Sequence, residues 1–581
     1  MNIRDTFTKF QFSDELKFES IIRMLKKIYI NNDLDVQEQQ QQKVQFQNNK
    51  YSIGRVWNKY SRDFHCNIPF IDVEVWENFK PQTRSTYPKS ISSESVVFTN
   101  ESTVNKLLSE DKRKFRRESE NSTEQCIECY SSRSRRLSSI EGDCIRQAAI
   151  RSAKQIGILR TDGRKIPRSE RFRTVSECVH NTARNTNSGF PFYRKKNSKL
   201  CISDTILWLN NFFNKPTLYS LLKNPLIELP TTIFYRVQPS IDDHENKVNI
   251  KIRQVWGIPQ RIVCLEYYFF NSILKCVSNR NKYGTNSIYS SGLTNYEIST
   301  RIIRRIRKSQ HITGMNVYSM DYSKFDRNIP SYAIDLFYAI SKEALELDDK
   351  EDKIFDLLRF YIKHTPYTWK GNLFIKMKGV PSGSFITNLI DTWWNYTLWI
   401  LSYLTKEFYT KNLKRFLSKE ILLDKEVSYF IKSKSVLTFL DIGVCGDDSL
   451  ALTNSLHIQI LKQLCNRFEM KIVEFQICKS IYEDIYFLGR YWDSESRPVQ
   501  TDTYFIGHLA VRTKFYKKDE LNFNISEDLT ITRMLSICLA YYNGLDFLKR
   551  NFKEYSKLDS FLKGSDGFYL LKDWPLVEEY R

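Results

Sequence analysis

Two groups of aspartates carry the chemistry this sequence can do. The first is in Asp321-Tyr322-Ser323-Lys324-Phe325-Asp326, which follows Met315–Met320, an apolar-rich run that reads as a buried strand. After Pro330 the period changes. Ala333, Leu336, Phe337, Ile340 and Ala344 fall on one face of a helix. Asp321 is therefore expected at a strand end, and Asp326 in the turn that follows. Alone, Asp-x4-Asp is a weak signal. The second group is Cys445-Gly446-Asp447-Asp448, between the short apolar runs Leu437–Val444 and Ser449–Leu452. That pattern reads as the tip of a β-hairpin. Adjacent aspartates at a tip repel each other, and a structural turn needs only one. The pair suits a divalent cation held with other carboxylates; a solvated turn is the alternative.

Between these groups lies Gly379-Val380-Pro381-Ser382-Gly383-Ser384-Phe385-Ile386-Thr387, a loop running into a long helix. Its apolar face is Phe385, Leu389, Trp393, Tyr396 and Ile400. Thr387, Asp391 and Asn395 recur every four residues as a polar stripe. Large residues such as Trp394 flank the stripe, so it is expected to face inward rather than toward solvent.

The three pieces stand in one order, 62 and then 64 residues apart. Asp-x4-Asp, Ser-Gly-x3-Thr and Gly-Asp-Asp together resemble motifs A, B and C of viral RNA-dependent RNA polymerases. The version here is similar to that of the partitivirus- and picobirnavirus-like double-stranded RNA viruses. Lys251-Ile252-Arg253-Gln254-Val255-Trp256-Gly257-Ile258-Pro259, with Leu265-Glu266, resembles that branch's motif F. Asn185-Thr186-Asn187-Ser188-Gly189-Phe190-Pro191 resembles its motif G. Cys478-Lys479-Ser480 and Phe487-Leu488-Gly489-Arg490 resemble motifs D and E. The likeness spans roughly residues 185–490. Many positive-strand RNA virus polymerases carry Asn four residues after the motif B Thr. This chain has Asp391 there, so that Asn's role does not transfer directly.

The resemblance implies an α+β fold, a closed right hand of fingers, palm and thumb with an antiparallel palm sheet. It implies fingers at 145–315 and 346–383, palm at 316–345 and 384–494, and thumb at 495–581, after an N-terminal extension with fingertips at 1–144. It implies nucleotidyl transfer with two Mg²⁺ ions, Mn²⁺ being a possible substitute. Asp321, Asp447 and Asp448 would be metal ligands, with the Tyr322 carbonyl as an extra one. Lys251 and Arg253, two apart on a strand and so on one face, would neutralise the triphosphate. Asp326, Ser382, Gly383, Thr387 and Asp391 would surround the ribose, whose 2′-hydroxyl separates RNA from DNA precursors. Ser188, Gly189 and Pro191 would touch template, and Lys479 would donate a proton to pyrophosphate. The implied partners are RNA template and product, ribonucleoside triphosphates and a viral capsid protein. The implied location is the virion interior or host cytoplasm.

Bulk composition agrees. The 581 residues carry 88 Lys+Arg against 67 Asp+Glu, a formal net charge of +21. Such a surplus favours a polyanionic partner, RNA or DNA most often, with a membrane surface as competitor. The opening MNIRDTFTKFQFSDELKF is polar, so no signal peptide is expected. The most apolar long stretch, Leu389–Leu404, carries Asp391 and Asn395, which argues against a membrane span. The 12 cysteines are scattered, as suits free thiols in a reducing compartment. Cys126 and Cys129 form one CxxC, with Cys144, Cys178 and His180 further on. Nothing completes a zinc ligand set, and unpaired surface cysteines are expected. Residues 112–139 read as an exposed, mobile connection whose basic cluster, Arg133, Arg135 and Arg136, either touches RNA or is a solvated loop, and Gln37–Asn49 reads as a solvated loop. Met377–Gly379 and the charged 405–436 insertion read as surface decoration.

Two rivals fall short. A reverse transcriptase normally has a bulky aromatic where Asp326 stands and an aromatic-x-Asp-Asp hairpin. A non-catalytic RNA-binding or capsid-core protein would explain the charge but not the spaced aspartates.

Overall fold

The computed structural model describes residues 129–130, 132–171, 174–182, 186, 188–190, 192, 195–214, 229–242, 247–283, 288–369, 372–412, 423–434, 441–510 and 537–551. The expectations for Gln37–Asn49, Cys126, Pro191 and Leu437 fall outside them.

The elements that matter for the site follow in chain order. Helix α1 is Ser139–Ile156, strands β1 and β2 are Thr231–Asp242 and Lys247–Gly257, and helix α2 is Gln260–Tyr283. Strand β3 is Asn316–Tyr322, followed by helices α3 (Ser331–Ala344) and α4 (Asp349–Lys363) and strands β4 (Pro366–Trp369) and β5 (Asn372–Ile375). Helix α5 is Thr387–Lys411 and α6 is Lys425–Ser433. Strands β6 (Ile442–Cys445) and β7 (Asp448–Thr453), helix α7 (Ser455–Arg467) and strand β8 (Ile472–Cys478) complete the set.

The sheet in order β6-β7-β3-β8 is antiparallel throughout. A second sheet, β2-β1-β4-β5, pairs β1 with β2 antiparallel and with β4 parallel. The expected face of α3 is buried at all five positions, Ala333, Leu336, Phe337, Ile340 and Ala344. Helix α5 is the spine of the fold. It is buried on every side from Leu389 to Leu401 and packs against α1, α7 and β6. A helix apolar all round belongs in a core, and the polar stripe is buried with it. Asp391 is 8% exposed and Asn395 fully buried. Among the described residues no helix is long and apolar enough to cross a membrane.

Two stretches expected at the surface are instead built into the fold. In the 405–436 insertion, α5 runs on to Lys411, and α6 buries Val427 and Ile431 against α1. Arg151 of α1 donates to the carbonyls of Ile431 and Lys434 at 2.7 and 2.6 Å. The high Lys and Glu content hid an apolar pair at helical spacing. In the other, the Met377 N–H donates to the Tyr130 carbonyl at 2.8 Å, and Tyr130, 1% exposed, stands edge-on to Trp256. Gly379, at φ +80°, lets the chain pass where a Cβ would lie 2.8 Å from the Asp326 carbonyl. Tyr130 is thus packed into the fold, while Ser132, Arg133, Arg135, Arg136 and Ser138 are exposed, as expected of a connection. Arg135 shares the buried Glu141 with Arg467 at 2.6 and 2.5 Å. Against the upward push of burial, these contacts hold the Glu141 carboxyl at about 2. The cysteines expected at the surface are not there: Cys144 and Cys178 are buried in helix packing and Cys129 is half-buried with its Sγ 3.5 Å from Asn328 Oδ1, while His180 is exposed.

Candidate functional site

The antiparallel sheet brings the two aspartate groups side by side. Met320 of β3 pairs with Ser449 of β7, so Asp321 and Asp448 stand one residue beyond that pair on neighbouring strands. Cys445 pairs with Asp448 across the β6–β7 hairpin, leaving Gly446-Asp447 as its tip. Gly446 is left-handed at φ +63°, a conformation that side chains strain to adopt. On the other side of β3 the register with β8 slips between Asp321 and Tyr322. Asp321 Oδ1 accepts the Tyr322 N–H at 2.7 Å. Asp447 is exposed, and Asp321 and Asp448 are half-buried.

Helix α5 fixes the tip from below. The Gly446 N–H donates to Thr392 Oγ1 at 2.7 Å, and Asn395 Nδ2 donates to the carbonyls of Gly446 and Asp447, each at 3.0 Å. The Tyr322 hydroxyl donates to Asn395 Oδ1 at 3.2 Å. One buried amide thus ties the end of β3 to the hairpin. The sequence reading missed Thr392 and the clamp made by Asn395. Their signal was a second stripe, Asn388, Thr392 and Asn395 at i, i+4 and i+7. Asn388 also reaches the hairpin, with Nδ2 3.8 Å from Cys445 Sγ.

Asp326, Ser382, Thr387 and Asp391 come together beside this tip. The Ser382 hydroxyl donates to Asp326 Oδ2. Burial raises the Asp326 carboxyl to about 6; Arg327 and Arg253 pull it down and Asp447 pushes it up. Burial also holds Asp391 well above the usual carboxylate range, helped by the charges of Asp326 and Asp447. Asp391 Oδ1 is buried without a hydrogen-bond partner. Thr387 Oγ1 donates to the carbonyls of Pro381 and Ser384 at 2.8 and 3.1 Å. Gly383, at φ +138°, sits where a Cβ would lie 2.3 Å from the Trp256 carbonyl.

The remaining expected residues are more dispersed. Lys251 and Arg253 lie on β2, and Arg253 is exposed while acting electrostatically on Asp326. Ser188 is buried, with its carbonyl accepting the Gln260 N–H at 2.8 Å, and a Cβ on Gly189 would lie 2.9 Å from the Gly257 carbonyl. These two residues brace the β2–α2 junction. Lys479 follows β8, exposed, its N–H donating to Glu483 at 3.1 Å. Arg307 holds the segment beyond it through the carbonyls of Glu483, Trp492 and Asp493.

Among the described residues no group of three or more His, Cys, Asp or Glu side chains is arranged to hold a metal ion. Mg²⁺ needs none, since it binds through one or two carboxylates together with substrate phosphates and water. The donors at the tip, Asp321, Asp447 and Asp448, are carboxylates on paired strands, the oxygen chemistry a hard cation takes.

Comparison with known proteins agrees with this geometry. The chain is 26% identical over 142 residues to the RNA-directed RNA polymerase of Cryptosporidium parvum virus 1 (strain KSU-1). That match covers 24% of this chain and 26% of the relative, so it spans about a quarter of the relative's length. The crystal structure of a human picobirnavirus RNA-dependent RNA polymerase superposes with a TM-score of 0.53 at 14% identity, over 80% of this chain and 78% of that one. The insertion-loop deletion mutant of the same enzyme gives 0.56 at 16% identity, over 87% and 98%. These likenesses establish the right-hand polymerase fold, here a mixture of helices and sheets. The sequence profile of the family described as viral RNA-dependent RNA polymerase matches residues 135–502, well over half of the chain, and includes every element of the site above. The chain belongs to the viral RNA-dependent RNA polymerase family.

Proposed function

We propose that this protein copies RNA from an RNA template, joining ribonucleoside triphosphates by two-metal-ion nucleotidyl transfer to replicate and transcribe a double-stranded RNA virus genome. The observation that carries the proposal is the pairing of β3 with β7, which sets Asp321 beside the Asp447–Asp448 tip. The palm is then the sheet β6-β7-β3-β8 with α3, α5 and α7, flanked by fingers at 145–315 and 346–383 and a thumb after 495, in a closed hand.

Asp321, Asp447 and Asp448 would hold two Mg²⁺ ions (or Mn²⁺), with the Tyr322 carbonyl as a further ligand. When bound, the ions activate the primer 3′-hydroxyl and neutralise the triphosphate. The chain's own residues do the rest. Lys251 and Arg253, two apart on β2, would neutralise the triphosphate. Ser382 and Asp326, already bonded to each other, meet the ribose 2′-hydroxyl together with Thr387. Asp391, held neutral, both donates and accepts there. Gly383 gives the loop its close fit. Lys479 donates the proton that pyrophosphate takes as it leaves. Template contact would fall to the segment of Ser188, Gly189 and Pro191, with the buried Ser188 shaping it from inside. A viral capsid protein is the expected partner, in the virion interior or host cytoplasm.

The test is primer extension with ribonucleotides and then with deoxyribonucleotides. Asp447→Ala and Asp321→Ala should each abolish incorporation, as should EDTA, with RNA affinity nearly intact. Near wild-type incorporation by Asp447→Ala would overturn the proposal.

A further inference from the structure

Glu266 lies in α2, completely buried. An anion in such a place must be compensated by hydrogen bonds. Those bonds go to neither Asp321 nor the hairpin. One carboxylate oxygen accepts the Ser384 hydroxyl, and the other accepts the Phe385 N–H at 2.8 Å. Ser384 Oγ accepts the Ile386 N–H in turn, at 3.3 Å. These donors immediately precede α5, where backbone N–H groups lack helical partners and a negative charge is favoured.

The same loop is gripped from its other flank. The Trp256 N–H donates to the Ser382 carbonyl at 2.8 Å, and Gly383 lies against the Trp256 carbonyl. Trp256 and Glu266 belong to one continuous segment, the end of β2 and the start of α2. On either side of these grips stand Ser382, whose hydroxyl donates to Asp326, and Thr387, whose hydroxyl donates to Pro381.

We infer that Glu266 is a positioning residue for sugar selection, locking the Pro381–Thr387 loop from behind so that Ser382 stays against Asp326. The inference rests on the ribose reading above. The choice between ribonucleotide and deoxyribonucleotide then depends on a carboxylate that touches no nucleotide. Its neighbours define when it is charged. Burial raises it to about 7, while Lys196, Ser384 and the Phe385 N–H hold it down; Tyr338 of α3 and Tyr361 of α4 are the other titratable groups facing it. Above about pH 7 the ionised carboxylate accepts both bonds. Below it, the proton turns one oxygen into a donor and removes the anion from the start of α5.

The experiment uses the full chain with Mg²⁺ on a primed RNA template. It reads the ratio of kcat/KM for UTP to that for dUTP in wild type, Glu266→Gln, Ser384→Ala and Ser382→Ala, from pH 6 to 8, with melting temperatures measured alongside. Glu266→Gln and Ser384→Ala should lower the ratio about ten-fold at pH 8, the size of one charge-assisted hydrogen bond. The wild-type ratio should fall as the pH drops through 7. Glu266→Gln should lack that step, keeping only one centred near 6 from Asp326. If Glu266→Gln folds poorly, Ser384→Ala and the wild-type pH profile decide. An unchanged ratio in Glu266→Gln and Ser384→Ala, with Ser382→Ala altered, overturns the inference and leaves the ribose reading standing. An equal loss on both nucleotides, with a ratio independent of pH, marks Glu266 as merely structural and also overturns it. An unchanged ratio in Ser382→Ala as well removes the ribose reading and this inference together.

Discussion

Asp326→Asn should raise the stability of the metal-free protein above pH 6 while weakening its sugar discrimination. Burial lifts the Asp326 carboxyl from 3.8 to about 6 in the folded chain. In the unfolded chain it ionises near its ordinary value. Between the two, the folded state holds a proton that the unfolded state has lost, so stability falls as pH rises through that window. Above pH 6 the full penalty is present. A shift of roughly two units corresponds to about 3 kcal/mol. Asn cannot ionise and escapes the penalty, while its Oδ1 still accepts from Ser382. Denaturant melts in EDTA from pH 4 to 8 should show variant and wild type nearly equal at pH 4. The variant should gain about 3 kcal/mol by pH 8, the upper bound set by that shift. In single-nucleotide incorporation the same variant should favour UTP over dUTP less strongly. A variant no more stable at pH 8 than at pH 4, relative to wild type, would refute the reasoning.

Asp391→Asn should keep both activity and ribonucleotide preference, because a neutral amide replaces a carboxyl that burial pushes toward its neutral form. Asp391→Ala should weaken that preference by about 1–3 kcal/mol, the range for a lost buried polar partner; the ratio of kcat/KM values for ribo- and deoxyribonucleotides reads it. Neutralising Lys251 and Arg253 together should raise KM for all four nucleotides, since all share the triphosphate, and an effect confined to one base would count against that role. Gly383→Ala forces the loop away from the Trp256 carbonyl. Incorporation should therefore drop sharply while RNA affinity, followed by anisotropy, stays within about two-fold, a small fraction of the salt-dependent phosphate contribution.

What could be read from the sequence was what repeats locally. The apolar-rich run before Asp321, the 3.6-period face Ala333–Ala344 and the Gly-Asp-Asp hairpin are local patterns, and the structure has them. The inward polar stripe on α5 was legible for the same reason, since large apolar residues surround it. What could not be read was pairing between distant segments. Nothing near Glu266 says that its carboxylate caps a loop more than a hundred residues on. Nothing near Tyr130 says that its carbonyl receives Met377. In α6 the apolar pair Val427 and Ile431 was there to see, but the surrounding charge outweighed it. The family resemblance supplied residue roles that no period carries, such as those of Lys251 and Lys479.

The order β6-β7-β3-β8 also governs how the protein comes into being. Strand β3 has no partner near it in the chain; both its neighbours, β7 and β8, are made long after it, the last ending at Cys478. Closing such distant pairs is slow, because the loop entropy is lost before the contacts reward it. During synthesis, Asp321 must therefore wait on an unpaired strand until β7 is made, and its sheet is complete only with β8. A fragment ending before Ile442 holds Asp321, Asp326, Ser382 and Thr387 but no sheet to align them. Nascent chains and early truncations are thus silent by construction, and activity switches on only when nearly the whole family-matching region is complete.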